Sequence, residues 1–136
     1  MLFRSNGMNV LIIGDVMVDA YLWGKVERIS PEAPVPIVAV QRKENRLGGA
    51  ANVAINIQSM GAKPILCSVI GSDSNARLFI DLMQQLEMTS DGFIQSPDRP
   101  TTVKTRIIGN NHQMLRVDEE RTAEINISEQ IGRAHV

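Results

Sequence analysis

Two short apolar segments constrain the fold of this chain most strongly. Residues 10–13 end at Gly14, and residues 64–70 end at Gly71. A continuous apolar run of this length, without polar alternation, is typical of a strand that is covered on both faces of a parallel sheet. We therefore expect the two segments to form parallel strands that are neighbours or near-neighbours, covered by helices.

Two helical patterns accompany these strands. Residues 50–60 follow Gly48-Gly49 and stop at Gly61, and residues 73–87 begin after a capping Ser72 or Asp73. The apolar face of the first helix is predicted to be Ala50, Val53, Ala54, Ile57 and Met60, and that of the second Leu78, Phe79, Leu82, Met83 and Leu86. Strands alternating with helices predict an α/β fold with a mostly parallel sheet.

Two further segments have the character of strands outside that sheet. Residues 21–40 contain Pro31, Pro34 and Pro36, which exclude a helix and place any strand there at an edge. Residues 101–118 alternate apolar and polar side chains around the polar turn at 109–112, which indicates a hairpin. We expect these segments to form a small β flap, or lid, beside the sheet.

Composition excludes several classes of function. Fourteen basic and fifteen acidic residues give a net charge of −1, so the chain has no basic field for a nucleic-acid partner. The single Cys67 cannot form an intrachain disulfide, and it lies in an apolar strand, where a small core residue is expected. The apolar run at 10–13 is far shorter than the roughly 20 residues of a membrane span. A cytoplasmic protein without membrane or nucleic-acid partners is expected.

The sequences of the two ends suggest an origin different from that of the rest of the chain. Residues 2–5 and 131–134 can both be translated from one DNA library adapter, read on opposite strands. We interpret residues 1–7 as a non-native leader, 131–136 as a non-native tail and 8–130 as one domain, the alternative being ordinary terminal tails. On this interpretation the natural protein continues beyond Gln130, and both ends make few tertiary contacts.

Polar residues follow the first strand and precede the first helix. Asp15 and Asp19 come after a buried strand, where open α/β sheets bind ligands, and carboxylates there can accept hydrogen bonds from sugar hydroxyls. The alternative is a turn cap and a solvated side chain. Gly48-Gly49 lets the backbone approach a ligand closely, and Asn52 offers a donor and an acceptor. The alternative is a tight loop.

Other chemistries find little support. The chain contains neither G-x-G-x-x-G nor a P-loop, and His112 has no partner for a catalytic base. The acidic residues 118–120 are typical of a solvated face, so no metal site is expected. Lys104, Arg106 and Arg116 could recognise a phosphate or simply cover the exposed face of the hairpin.

The sequence Gly48-Gly49-Ala50-Ala51-Asn52, followed by Gly61 and Gly71, resembles the N-terminal signature of the ribokinase-like, phosphofructokinase B type carbohydrate kinases. Residues 14–19, 28–36 and 115–118 are most similar to the heptose-7-phosphate kinase branch of that family. The resemblance implies transfer of the ATP γ-phosphoryl group to a sugar, here heptose 7-phosphate to heptose 1,7-bisphosphate for ADP-heptose and lipopolysaccharide core synthesis. It also implies a lid that closes over the sugar and pairs with a second subunit as a homodimer.

Carried over by position, the resemblance implies sugar contacts at Asp19, Gly49 and Asn52, with Asp15 as a weaker candidate. The family's Gly-Ala-Gly-Asp anion hole, with its general-base aspartate, does not occur in these residues. Neither does the ATP-binding region, so ATP and Mg²⁺ are expected only in the complete enzyme. The chain is therefore expected to be inactive alone, as the N-terminal, sugar-binding part of a ribokinase-like fold with no catalytic residue of its own.

Charge and placement on the lid suggest Arg28, Lys104 and Arg106 as the groups that bind the sugar's 7-phosphate. A different class of function stays open. The same elements could form a non-catalytic sugar-binding or dimerisation module, in which the lid strands serve only association.

Overall fold

The computed structural model describes residues 6–134, with side chains described as far as residue 130. The elements are, in order, β1 (Asn9–Ile13), β2 (Val16–Ile29), β3 (Pro36–Gly49), α1 (Ala50–Ser59), β4 (Lys63–Gly71), α2 (Ser74–Gln85), β5 (Phe93–Ser96), β6 (Val103–Gly109), β7 (His112–Glu119) and α3 (Ile127–Ala134). Residues 1–5 and 135–136 lie outside the described part. The expectation that both ends make few contacts therefore stays a prediction.

The core sheet consists of three parallel strands in the order β1-β4-β5. Val10 pairs with Pro64 and Ile13 with Cys67, which confirms that the two apolar segments are parallel neighbours. β4 is central and almost wholly buried, and Leu66 and Ile70 pack in one core cluster with Phe79 of α2. Cys67 is buried, as expected of a small core residue.

The expectation that β1 is covered on both faces is wrong. Val10 and Ile12 are half-buried, whereas Leu11 is 57% exposed and Ile13 63% exposed. Because alternate side chains of a strand point to opposite faces, the face that carries Leu11 and Ile13 is open. An apolar run predicts that both faces of a strand are covered. It does not identify the element that covers each face.

Helix α1 packs through smaller residues than its pattern predicts. Ala51 and Ala54 are fully buried, whereas Val53 is 49% and Met60 40% exposed. A Cβ atom placed on Gly14 would lie only 3.0 Å from the Cβ of Ala50, so the start of the helix lies very close to the end of β1. Small side chains permit this approach, and the larger Val53 is therefore turned outwards.

Helix α2 begins as its sequence predicts. Asp73 is the N-cap and accepts a hydrogen bond from the backbone N–H of Ala76 at 2.8 Å. Phe79 and Met83 of the predicted stripe are fully buried. The helix ends at Gln85, two residues earlier than predicted, and Leu86 is 41% exposed.

The lid is a second sheet of four strands in the order β3-β2-β6-β7. Strand β2 pairs antiparallel with β3 and parallel with β6, and β6 forms the predicted hairpin with β7. Asn110 and Asn111 supply the positive φ angles of its turn. The lid is larger than expected, because β2 and β3 each run for 14 residues and reach the core.

Within residues 6–134 the chain crosses between the lid and the core sheet with its helices four times, at residues 14–15, at the Gly49–Ala50 junction, at residues 97–102 and at residues 120–126. The backbone N–H of Ala50 donates to the carbonyl of Asp15 at 2.8 Å, which joins the first two crossings. Val18 and Val103, at the base of the lid, belong to the same buried cluster as the core sheet. The base of the lid is therefore fixed to the core.

Candidate functional site

Asp19 and Arg106 form an ion pair at the base of the lid. Asp19 lies on β2 and Arg106 on β6, and Arg106 Nη1 donates to Asp19 Oδ1 at 2.7 Å. The two side chains are only 16% and 25% exposed. The hydrogen bond from Arg106 to Asp19 raises the pKa of the guanidinium, against the opposing effect of burial. Asp19 therefore presents a carboxylate whose position is fixed by a permanent cation.

Gly48 and Gly49 lack side chains, which lets the Asp19 carboxylate and the Asp15 backbone approach them closely. A Cβ atom on Gly48 would overlap Asp19 Oδ2 and lie 2.8 Å from Asp19 Cγ. Gly49 has a φ of +62°, and a Cβ atom there would overlap the carbonyl oxygen of Asp15. A side chain at either position would displace Asp19 or the start of α1. The sequence indicated a close approach at this pair, and the structure identifies its partners.

A cleft of about 630 Å³ opens near the ends of β1 and β4, and Asp19, Arg106 and the glycine pair are not among the residues that line it. Asp15 and Lys104 both line it, together with Thr102 and Arg99. Lys104 Nζ lies 3.6 Å from Asp118 and 3.4 Å from Glu120, so carboxylates already neutralise this cation. Asp15 is exposed and faces the open cleft, where a ligand could reach its carboxylate.

Asn52 lines a separate groove of about 310 Å³ with Arg46 and Leu86. Arg46 is the cross-strand partner of Asp19, so both Asp19 and Asn52 lie beside the same arginine. Among the described residues, no hydrogen bond joins Asn52 to Asp19. The structure brings Asp19, Gly48 and Arg106 together, and it places Asn52 in a different cavity from Asp15 and Lys104.

Arg28 lies apart from the other candidate residues. It follows Asp19 by nine residues on the same strand, which at about 3.3 Å per residue corresponds to about 30 Å. The side chain is exposed near the outer end of the lid. Within one copy of the chain, Arg28 therefore cannot bind the same phosphate as Arg106. The expectation that grouped these two residues needs this correction.

The lid face that carries Asp19 and Arg106 also carries Tyr21, Trp23, Arg42 and Arg46, none of which the sequence indicated as site residues. The rings of Tyr21 and Trp23 stack with centroids 6.1 Å apart. The guanidinium carbons of Arg46 and Arg106 lie 4.9 and 5.4 Å from the centre of the Tyr21 ring, and that of Arg42 lies 4.8 Å from Trp23. Period-two alternation along β2 and β3, once both are known as strands, places these residues on one face.

These residues offer anion-binding groups and no metal centre. Arg106 uses one of its five N–H groups on Asp19, which leaves donors for a second oxyanion. Within residues 6–134, no cluster of three or more His, Cys, Asp or Glu side chains is arranged to hold a metal ion. No helix in that range is long and apolar enough to cross a membrane. The site can orient a polyhydroxylated or phosphorylated ligand.

A profile of the pfkB family carbohydrate kinases matches residues 8–131. The chain belongs to this family. It is 50% identical over 111 residues to the Bifunctional protein HldE of Helicobacter pylori (strain HPAG1), which is 82% of this chain and 24% of that protein. The chain thus spans about a quarter of the length of the curated relatives it matches. Membership confirms the resemblance seen in the sequence.

Solved structures agree on the fold. A carbohydrate kinase from Agrobacterium tumefaciens superposes with a TM-score of 0.67 and 18% identity, over 82% of this chain and 35% of that one. The Methanocaldococcus jannaschii nucleoside kinase, an archaeal member of the ribokinase family, gives a TM-score of 0.61 and 16% identity, over 84% and 37%. The fold is ribokinase-like, and the chain corresponds to somewhat over a third of each structure.

Proposed function

We propose that this chain is the N-terminal, sugar-binding part of an ATP-dependent kinase whose acceptor is a phosphorylated sugar, heptose 7-phosphate. Family membership supports a carbohydrate kinase. The acceptor rests on the stretches 14–19, 28–36 and 115–118, which resemble the heptose-7-phosphate kinase branch. The observation that carries the site is the Asp19 carboxylate, held by Arg106 against Gly48 where the lid meets the core.

Asp19 is proposed to accept hydrogen bonds from sugar hydroxyls and so to orient the acceptor. Its Oδ1 is occupied by Arg106, which leaves lone pairs on Oδ2 for a ligand. Asp15 would contact the same sugar from the cleft, and the Gly49 backbone and the Asn52 amide would contact it from the start of α1. A fixed carboxylate reduces the entropy lost when the sugar is ordered.

Lys104 and Arg106 are proposed to bind the phosphate group of the sugar. Both lie on β6, two residues apart and therefore on one face. Each already has a carboxylate partner, so the phosphate would add to or replace an existing ion pair rather than meet a bare cation. A phosphate dianion accepts several charge-assisted hydrogen bonds, which favours that exchange.

ATP and Mg²⁺ are proposed to be bound in full only by the complete enzyme. The sequence lacks the Gly-Ala-Gly-Asp segment, and the described residues lack a metal-ligand cluster. We therefore place ATP, Mg²⁺ and the general base in the remainder of the full-length protein. The role of this chain would be to bind and orient the acceptor, without a catalytic residue of its own.

The lid is also proposed to pair with a second copy of the chain. Strand β7 is an edge strand, and Leu115 and Val117 on it are 56% and 44% exposed. An exposed edge strand with apolar side chains favours association with another strand. The full-length protein is accordingly proposed to be a homodimer. Its proposed location is the cytoplasm, as the sequence predicts.

The test is the release of ADP by the full-length protein that carries this chain, with Mg-ATP and a panel of sugars. Heptose 7-phosphate should be preferred over heptose without phosphate and over hexose phosphates. The non-catalytic alternative predicts sugar binding or dimerisation without turnover of any member of the panel. Preference for an unphosphorylated sugar would contradict the substrate assignment and leave the kinase assignment intact.

A further inference from the structure

We propose that Asp73 is a positioning residue for the sugar site, because it anchors the segment that leads into lid strand β6. This inference rests on the proposed function for its effect on sugar binding. Asp73 is outside the residues that contact the proposed ligand, and it lies where the core sheet, helix α2 and the third crossing to the lid meet.

The anchor is a set of hydrogen bonds between Asp73 and Thr101. Asp73 Oδ2 accepts the backbone N–H of Thr101 at 2.8 Å, and Asp73 Oδ1 accepts the Thr101 hydroxyl at 2.8 Å. The Thr101 hydroxyl oxygen in turn accepts the backbone N–H of Gly71 at 2.9 Å. One carboxylate and one hydroxyl thus tie Gly71, at the end of β4, to Thr101, which lies 30 residues further along the chain.

The packing leaves little freedom around these bonds. Thr101 is 1% exposed, and a Cβ atom on Gly71 would lie 2.6 Å from the Thr101 nitrogen and 2.8 Å from Asp73 Oδ2. Burial opposes the charged form of Asp73, but the hydrogen bonds from Thr101 and Ala76 outweigh it and lower the pKa of the carboxyl. Asp73 is therefore a carboxylate at neutral pH and accepts all of these bonds.

The position of Thr101 determines where β6 begins. The carbonyl of Thr102 accepts the backbone N–H of Val18 at 2.9 Å, and from there the parallel register places Lys104 beside Asp19. Arg106 follows on the same strand and reaches Asp19 with its guanidinium. A shift at Thr101 would therefore move Arg106 relative to Asp19, although Asp73 contacts neither.

The two roles of Asp73 can be separated by substitution. Asparagine is as good an N-cap as aspartate, so Asp73→Asn keeps an oxygen for the N–H of Ala76. Its amide NH₂ would then face the backbone N–H of Thr101, and two donors cannot bond to each other. Asp73→Asn thus keeps the helix cap and the bond from the Thr101 hydroxyl, and it replaces the bond from the Thr101 N–H by a repulsive contact between two donors. Thr101→Val removes the hydroxyl at nearly constant volume, and Thr101→Ser retains it.

The experiment compares these three variants with Gln58→Ala in the full-length protein. Gln58 donates to the carbonyl of Leu86 at 2.8 Å and has no hydrogen bond to Asp73 or Thr101, so Gln58→Ala removes one tertiary hydrogen bond without touching the anchor. Asp73→Asn and Thr101→Val should raise the KM for the sugar phosphate by about fivefold or more, with the KM for ATP within about twofold. Thr101→Ser and Gln58→Ala should leave both values near those of the parent protein.

Amide hydrogen exchange of residues 101–107 provides a second measurement that needs no sugar. Amide exchange of these residues should be faster in Asp73→Asn than in Gln58→Ala when each variant is measured at the same interval below its own melting temperature. A lower melting temperature in Asp73→Asn with unchanged sugar KM and unchanged exchange would overturn the proposal, since that is the result of a purely structural role. If the parent protein phosphorylates no sugar, the proposed function fails, and exchange alone decides on the anchor.

Discussion

The Asp19–Arg106 pair should couple the lid strands β2 and β6 by an amount that a double-mutant cycle can measure. A hydrogen bond between charged groups contributes about 1.5–3 kcal/mol, and partial exposure of both side chains reduces this to about 1–2 kcal/mol. Arg106 also lies over the Tyr21 ring, so Arg106→Ala loses a further contact of about 0.5–1 kcal/mol. Asp19→Ala, by contrast, leaves a partly buried arginine without its partner.

The assay is urea unfolding of the parent, Asp19→Ala, Arg106→Ala and the double variant. The double variant should be more stable than the sum of the single effects predicts, by about 1–2 kcal/mol. The Glu44–Arg46 pair, which is 2.6 Å long but much more exposed, is the matched control and should show a smaller coupling. Additivity within about 0.5 kcal/mol for Asp19 and Arg106 would refute the view that this pair fixes the carboxylate.

Four further substitutions test other parts of the account. Gly48→Ala should displace the Asp19 carboxylate and weaken sugar binding in calorimetry, with a loss of about 1–3 kcal/mol in folding stability from overpacking. The pKa of Asp73 is lowered, so its contribution to the free energy of unfolding should be constant near neutral pH and should be lost as the pH falls through that pKa. The difference in unfolding free energy between the parent and Asp73→Asn should therefore shrink only in acid. Ala54→Leu should cost about 1–3 kcal/mol in thermal unfolding, whereas Val53→Ala should cost about 0.5 kcal/mol or less.

The order of strands and helices was predictable because local signals coincide with the tertiary structure. The apolar segments at 10–13 and 64–70 pair in parallel, Asp73 caps α2, and Gly61 ends α1 with a φ of +88°. The parallel pairing joins distant segments and follows from the helix that connects them, whereas at the two helix ends a backbone requirement is met by residues next to it in the chain. Such features need no knowledge of distant contacts.

Burial of individual side chains was less predictable, because it depends on what lies across each face. The pattern of α1 favours Val53 as a core residue, but the short distance to Gly14 selects the alanines instead. Leu11 is as apolar as its neighbours in β1 and is nonetheless open. Periodicity identifies an apolar face, and only the packing determines how much of it is covered.

The residue types of the site could be predicted from the sequence, but the contacts between these residues could not. Asp19 and the glycine pair were recognised separately, whereas the overlap that a Cβ on Gly48 would make with Asp19 is a property of paired strands. Arg46 gives no signal in the sequence until β3 is known to continue to Gly49. The separation of Arg28 from Arg106 likewise follows from the length of β2.

Calorimetric titration of the full-length protein with heptose 7-phosphate, in the parent and in Asp19→Ala, tests the central claim most directly. Losing hydrogen bonds from sugar hydroxyls to a charged group should weaken sugar affinity by about 10-fold or more, whereas ATP affinity should stay within about twofold. Asn52→Ala should have the same effect in smaller measure. Unchanged affinity for the sugar phosphate in Asp19→Ala would contradict the assignment of this carboxylate to the sugar site.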